Sequence, residues 1–129
     1  MTRRQLREAV FKLVFQIEFH DVEELPEQLR ISLEEEEDLG RDTQYVEEKC
    51  RDLMTRVKEI DECINSNVTG WKTSRMSKVD LTIIRLAVYE MKYEDLPRGI
   101  AINEAVEIAK KYSGEQSASF VNGALAKIA

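Results

Sequence analysis

Apolar residues return at helical spacing from Leu6 to Ile128, and this pattern governs what the chain can fold into. Five glycines and two prolines in 129 residues leave few places to turn, which favours long helices over a many-turned β fold. The expectation is an all-α protein of six or seven helices, arranged as two small three-helix bundles sharing one core. At 129 residues the chain is one domain on a scale of roughly 100–200 residues per domain, large enough to bury a core without disulfides or metals. The helical subdomains are placed at about 1–68 and 69–129.

The first helix is predicted over Arg3–Phe19. Leu6, Ala9, Val10, Leu13, Val14 and Ile17 make one apolar face, and Phe11, Phe15 and Phe19 recur every four residues on a second. A helix apolar on two faces needs two neighbours, or a neighbour and a partner. An acidic helix over Pro26–Asp38 should bury Leu29, Ile31 and Leu33 before Gly40 breaks it. A long third helix is predicted over Thr43–Asn67, and Gly70-Trp71 opens a connector with room for one helical turn. Ser77 has the place of an N-cap, with Asp80 three residues on as its capping-box partner. The helix over Val79–Tyr93 is the most hydrophobic, with a narrow polar stripe of Thr82, Arg85, Tyr89 and Lys92. Pro97-Arg98-Gly99 reads as a turn, and a helix over Ile102–Tyr112 stops at Gly114. Ser117 is read as the cap of a last helix. Gly123 inside that helix costs about 1 kcal/mol relative to alanine, which marks it as a place of close approach.

The net charge of −6 hides a strong asymmetry. Residues 21–48 hold twelve acids against Arg30 and Arg41, a local balance of −10, while the segments on either side each carry +2. An acidic average therefore does not exclude a local nucleic-acid surface. The acid run Glu34-Glu35-Glu36-Glu37-Asp38 is read as a solvated helix end, or as an attraction for a basic protein. No apolar run approaches the ~18 residues that cross a bilayer, and there is no signal-peptide core. A cytoplasmic location is the expectation, with no membrane partner.

Catalysis has no support in the residues. His20 is the only histidine and is read as a helix-end residue; no nucleophile elbow, Cys-His signature or phosphate-cradling glycine loop accompanies it. Cys50 and Cys63 fall in one helical pattern, about 20 Å apart at ~1.5 Å per residue, too far for a disulfide. No catalytic residue, metal or cofactor is assigned. Arg3, Arg4 and Arg7 cluster in the first turns of a helix, where the dipole disfavours them, and guanidinium groups grip phosphate. Lys72, Arg75, Lys78 and Arg85 form a second basic group around Asp80, and Trp71 beside them is a nucleotide stacker or a core residue.

Three stretches carry a family resemblance. Arg3-Arg4-x-x-Arg7-Glu8-Ala9-Val10 resembles the start of the NusB family, and Ile84-Arg85-Leu86-Ala87-Val88-Tyr89-Glu90-Met91 resembles its central helix. Ala101-Ile102-Asn103-Glu104-Ala105-Val106-Glu107-Ile108-Ala109-Lys110-Lys111-Tyr112, followed by Ser117-x-x-Phe120-Val121-Asn122-Gly123-x-Leu125, is the most specific match. The resemblance implies transcription antitermination on ribosomal RNA operons within the transcription elongation complex, without catalysis. It implies binding of single-stranded boxA RNA together with NusE, a small-subunit ribosomal protein. On that reading Arg3, Arg4 and Arg7 project from the helix start as phosphate contacts, and Phe120 and Asn122 supply stacking and an amide. Phe15 and Asp80 are candidates for the NusE side; capping is the rival role of Asp80. The aromatic face of the first helix fits a homodimer or a different partner.

Ser119 stands where the family usually has Lys or Arg, and the chain stops at Ala129 without the basic tail of some relatives; both weaken the expected RNA surface. The alternatives are a module like the NusB-like N-terminal domain of some rRNA cytosine methyltransferases, without the catalytic domain, and a helical protein-interaction scaffold that binds no RNA.

Overall fold

In the computed structural model, which describes residues 2–35, 39–68, 70 and 72–128, the first helix is set by a reciprocal cap. The Thr2 hydroxyl accepts from the Gln5 backbone N–H at 3.1 Å, and the Thr2 N–H donates to Gln5 Oε1 at 2.8 Å. This capping box fixes the start of α1 (Arg3–Val14) despite the arginines in its first turn. Seven α-helices follow one another, with no strand among the described residues: α1, α2 (Leu25–Glu35), α3 (Thr43–Thr55), α4 (Val57–Asn67), α5 (Lys78–Tyr93), α6 (Arg98–Tyr112) and α7 (Glu115–Lys127). Short 3-10 turns occupy Phe15–Glu18, Val22–Glu24, Gly40–Asp42 and Thr73–Arg75.

The chain divides into two compact units, residues 1–56 and 57–129. In the first, α1 and α2 both pack on α3, around Val10, Val14, Leu29, Leu39, Val46, Cys50 and Leu53. In the second, α5 is contacted by α4, α6 and α7, and the α6–α7 pair is the most extensive contact. All ten residues from Leu81 to Glu90 are buried, so α5 is enclosed around its whole circumference.

Several boundaries differ from the sequence pattern, each for a local reason. The first helix tightens into a 3-10 turn at Phe15 instead of running to Phe19. There Gln16 donates to the Ser32 hydroxyl and ties the turn to α2. The long helix expected over Thr43–Asn67 is broken at Arg56, so that α4 groups with the second unit. The Thr55 hydroxyl takes the Asp52 carbonyl at 2.8 Å, the acceptor that the Arg56 N–H would use in a continuous helix. The Arg56 N–H bonds Leu53 O instead, at 3.0 Å. Ile31 is exposed: two residues from Leu29 and from Leu33, it lies on another face of the helix. α6 begins at Arg98, directly after Pro97, where a turn was expected. Glu36, Glu37, Asp38 and Trp71 lie outside the described residues.

Ser117 does not cap the last helix. α7 starts at Glu115, with Gly114 as its N-cap at φ 149°. Gly114 also stops α6, its N–H reaching Ala109 O at 2.9 Å. One residue thus ends a helix and begins the next, in a conformation that a side chain strains. Gly114→Ala is expected to cost about 1–3 kcal/mol, measured by urea unfolding; an unchanged midpoint would mean the turn relaxes freely.

Both cysteines are free. Burial pushes the Cys50 thiol up to about 12, against a smaller lowering by Lys49. An unfolded thiol ionises near ~8.5. Cys50 therefore contributes stability below about pH 8.5 that fades as pH rises toward its folded value. Native-state labelling with a thiol reagent at pH 8 should modify the half-buried Cys63 well before Cys50; equal rates would show that Cys50 opens readily.

Candidate nucleic-acid interface

The N-terminal arginines divide into two kinds. Arg3 and Arg4 are exposed on the first turn of α1, but Arg7, one turn on, is only 7% exposed. Arg7 therefore does not project as the helix-start reading required. It shares a face of α1 with the buried Val10, Phe11 and Val14, and its loss would act on the fold as well as on any ligand.

In the second unit, the side chain of Ser77 caps α5 by accepting from the Asp80 N–H at 3.1 Å. The Asp80 carboxylate accepts from the Ser117 hydroxyl on α7. Asp80 thus joins the start of α5 to the start of α7, a structural task beyond the capping expected of it. Phe120, half-buried and almost one turn past Ser117, closes a cleft of about 230 Å³ with Arg75, Met76, Ser77 and Asp80. The structure therefore brings Phe120 and Asp80 together and adds Arg75, which the sequence placed only in a diffuse basic group. An aromatic face beside a guanidinium suits a stacked base and its phosphate. Asn122, Ser119 and Gly123 are exposed on α7. Among the described residues nothing lies within 4 Å of a Cβ built on Gly123, so no close approach among them requires this glycine.

Phe15 sits within an aromatic ladder in the first unit. Its ring stacks on the buried Phe11 at 6.2 Å and meets Phe19 edge-on at 5.1 Å. Phe19 is exposed, so the ladder leads from core to surface.

Two arginines are committed elsewhere. Arg85 belongs to no polar stripe: Thr82, Arg85 and Tyr89 are all buried, and of the four expected stripe residues only Lys92 is exposed. Arg85 makes a bidentate pair with Asp61 on α4, with both bonds at 2.8 Å. Asp61 was missed because nothing in its local sequence distinguishes it from other helix-surface acids. Arg98 donates to the carbonyl of Ala126, at the C-terminal end of α7. His20 faces Glu24 at 3.3 Å. Among the described residues no cluster of three His, Cys, Asp or Glu side chains is placed to hold a metal, and no helix is long and apolar enough to cross a membrane.

Residues 4–129 match the NusB family. The chain belongs to that family. It is 52% identical to the transcription antitermination protein NusB of Agathobacter rectalis, with each chain covered in full. It is 45% identical to that of Lachnoclostridium phytofermentans, over 99% of this chain and 98% of the relative. The structure of T. maritima NusB superposes with a TM-score of 0.82 at 37% identity, over 98% of this chain and 89% of the other. The same fold recurs, with a TM-score of 0.80 at 23% identity, over 98% of this chain and 96% of the other, in a crystal structure of antitermination factors NusB and NusE in complex with dsRNA. The end-to-end NusB resemblance and the all-α architecture expected from the sequence both hold.

Proposed function

We propose that this chain is a transcription antitermination factor that binds single-stranded boxA RNA of ribosomal RNA operons together with NusE and acts, in the cytoplasm, within the transcription elongation complex. Membership of a family whose curated relatives bear that name along their full length supports the reading. The observation that carries it is the cleft of Phe120 beside Arg75, with Asn122 exposed on the same helix. Phe120 stacks on a base, Asn122 reads a base edge, and Arg3, Arg4 and Arg75 position the backbone through phosphates. Arg7 supports the helix that presents Arg3 and Arg4. Phe15 and Asp80 each contact NusE, Asp80 from the wall of the Phe120 cleft, where the Ser117 bond holds its carboxylate. The two units serve this one activity, and no catalysis is involved.

The test is a titration of boxA-like and scrambled RNA over a range of salt, with and without NusE. Log affinity should fall linearly with log salt, and each lost phosphate contact flattens the slope by ~0.7. Arg3→Ala with Arg4→Ala should weaken all RNAs alike and flatten the slope by at most about 1.4. Phe120→Ala should cost about 1–3 kcal/mol of stacking, and Asn122→Ala should narrow the gap between boxA and scrambled RNA. Salt curves identical to wild type would remove the arginines from the interface. No preference for boxA in the presence of NusE would overturn the function.

A further inference from the structure

The first unit holds a groove that the RNA reading does not use. Its floor is Leu25 and Leu29, both buried, and Met54 and Pro26 form its walls. Val22 stands at its lip with 81% of its surface exposed, an apolar side chain left uncovered. The space is about 280 Å³, below the roughly 300–1,000 Å³ typical of small-molecule sites, and it suits an inserted apolar side chain. Met54 adds an adaptable wall, since an unbranched thioether refits around different anchors.

The charge around the groove selects its occupant. Asp21, Glu23 and Glu24 flank Val22 in sequence, and all three are exposed. Arg51, the one base lining the groove, is held by Glu47 at 2.9 and 3.1 Å and so is largely neutralised. The groove lies within and beside the segment with the −10 charge balance. Exposed acids adjoining the lip residue in the chain disfavour phosphate and attract cations. We propose that this groove docks a cationic amphipathic helix of another protein, with one or two apolar anchors seated against Leu25, Leu29 and Met54 and basic residues facing Asp21, Glu23 and Glu24. Helix-in-groove recognition of this kind reads anchors at i, i+3, i+4 and i+7.

The probe is a short synthetic peptide with leucines at that helical spacing and lysines elsewhere, titrated into the 15N-labelled full chain. Amide shifts should concentrate at Val22, Leu25, Met54 and Thr55, and binding should weaken as salt rises. Val22→Lys, at a mostly exposed position, should weaken binding by about tenfold or more, as should Asp21→Asn combined with Glu23→Gln. A peptide of the same composition with its leucines scattered around the helix should bind more weakly. Equal binding of the scattered peptide would reduce the effect to bulk charge and overturn the proposal, as would shifts centred elsewhere. A change in sedimentation of the unliganded chain on Val22→Lys would assign the groove to a second copy instead. Neither variant should alter boxA RNA affinity, so failure here and failure of the RNA reading are separately visible.

Discussion

Asp61→Ala should destabilise the second unit by about 3–5 kcal/mol, the cost of removing one member of a buried ion pair. Arg85 keeps 8% of its side-chain surface in water and Asp61 keeps 23%, so removal of the carboxylate leaves the guanidinium with little solvent to replace it. The two parallel bonds at 2.8 Å are the geometry in which a guanidinium and a carboxylate bind best. The pair joins α4 to α5, and the Tyr93 hydroxyl adds a second link to Glu59 at 2.9 Å. The intact pair need not stabilise the fold relative to an apolar replacement, because both charges were desolvated to form it. The double variant Asp61→Leu with Arg85→Met should therefore recover most of the loss. Urea unfolding of wild type, single and double variants decides the matter. A single-variant loss below about 1 kcal/mol would mean that water reaches Arg85 freely.

The same pair shows where sequence reasoning reached its limit. Helical spacing located α5 to within one residue and identified it as the most enclosed helix, because a pattern apolar on nearly every face admits few other placements. It assigned Arg85 to a polar stripe because periodicity treats every charged side chain as solvent-facing. The partner lies 24 positions away on another helix, and no local signal connects them. Arg7 was misread for a similar reason: three arginines in five residues look alike in sequence and share one face of the helix, but Arg7 lies one turn further in, where the face is covered and the side chain is 7% exposed. The break at Arg56 was hidden because neither glycine nor proline marks it; its local sign is a threonine hydroxyl on the Asp52 carbonyl. At the candidate interface, the family motif supplied Phe120 and Asn122. Only the fold placed Arg75 beside Phe120, from a connector 45 residues earlier in the chain. The capping of α5 by Ser77 was legible because it depends on residues three apart. The bond from Ser117 to Asp80 was not, because it depends on where α7 lies.

Leu86→Ala should cost about 2–5 kcal/mol, the range for removing a large buried side chain and leaving a cavity. Leu86 is 2% exposed and sits midway along the buried stretch of α5. Ile84 and Val88, two residues to either side, are themselves fully buried, so the gap would open within a closely packed stretch. Leu86→Met, which nearly conserves volume, should cost less than about 1.5 kcal/mol. Small domains hold roughly 5–15 kcal/mol of stability, so Leu86→Ala should remain mostly folded at room temperature and keep near-normal RNA affinity. Phe120→Ala should show the reverse: a smaller loss in urea, since the ring is only half-buried, and a larger loss of RNA binding. Comparing urea midpoints with RNA affinities for these two variants separates the frame from the surface it presents. If Leu86→Ala lost RNA binding in proportion to Phe120→Ala while still folded, the cleft would depend on packing along α5. If Leu86→Ala cost less than about 0.5 kcal/mol, α5 would not be the central helix of its unit.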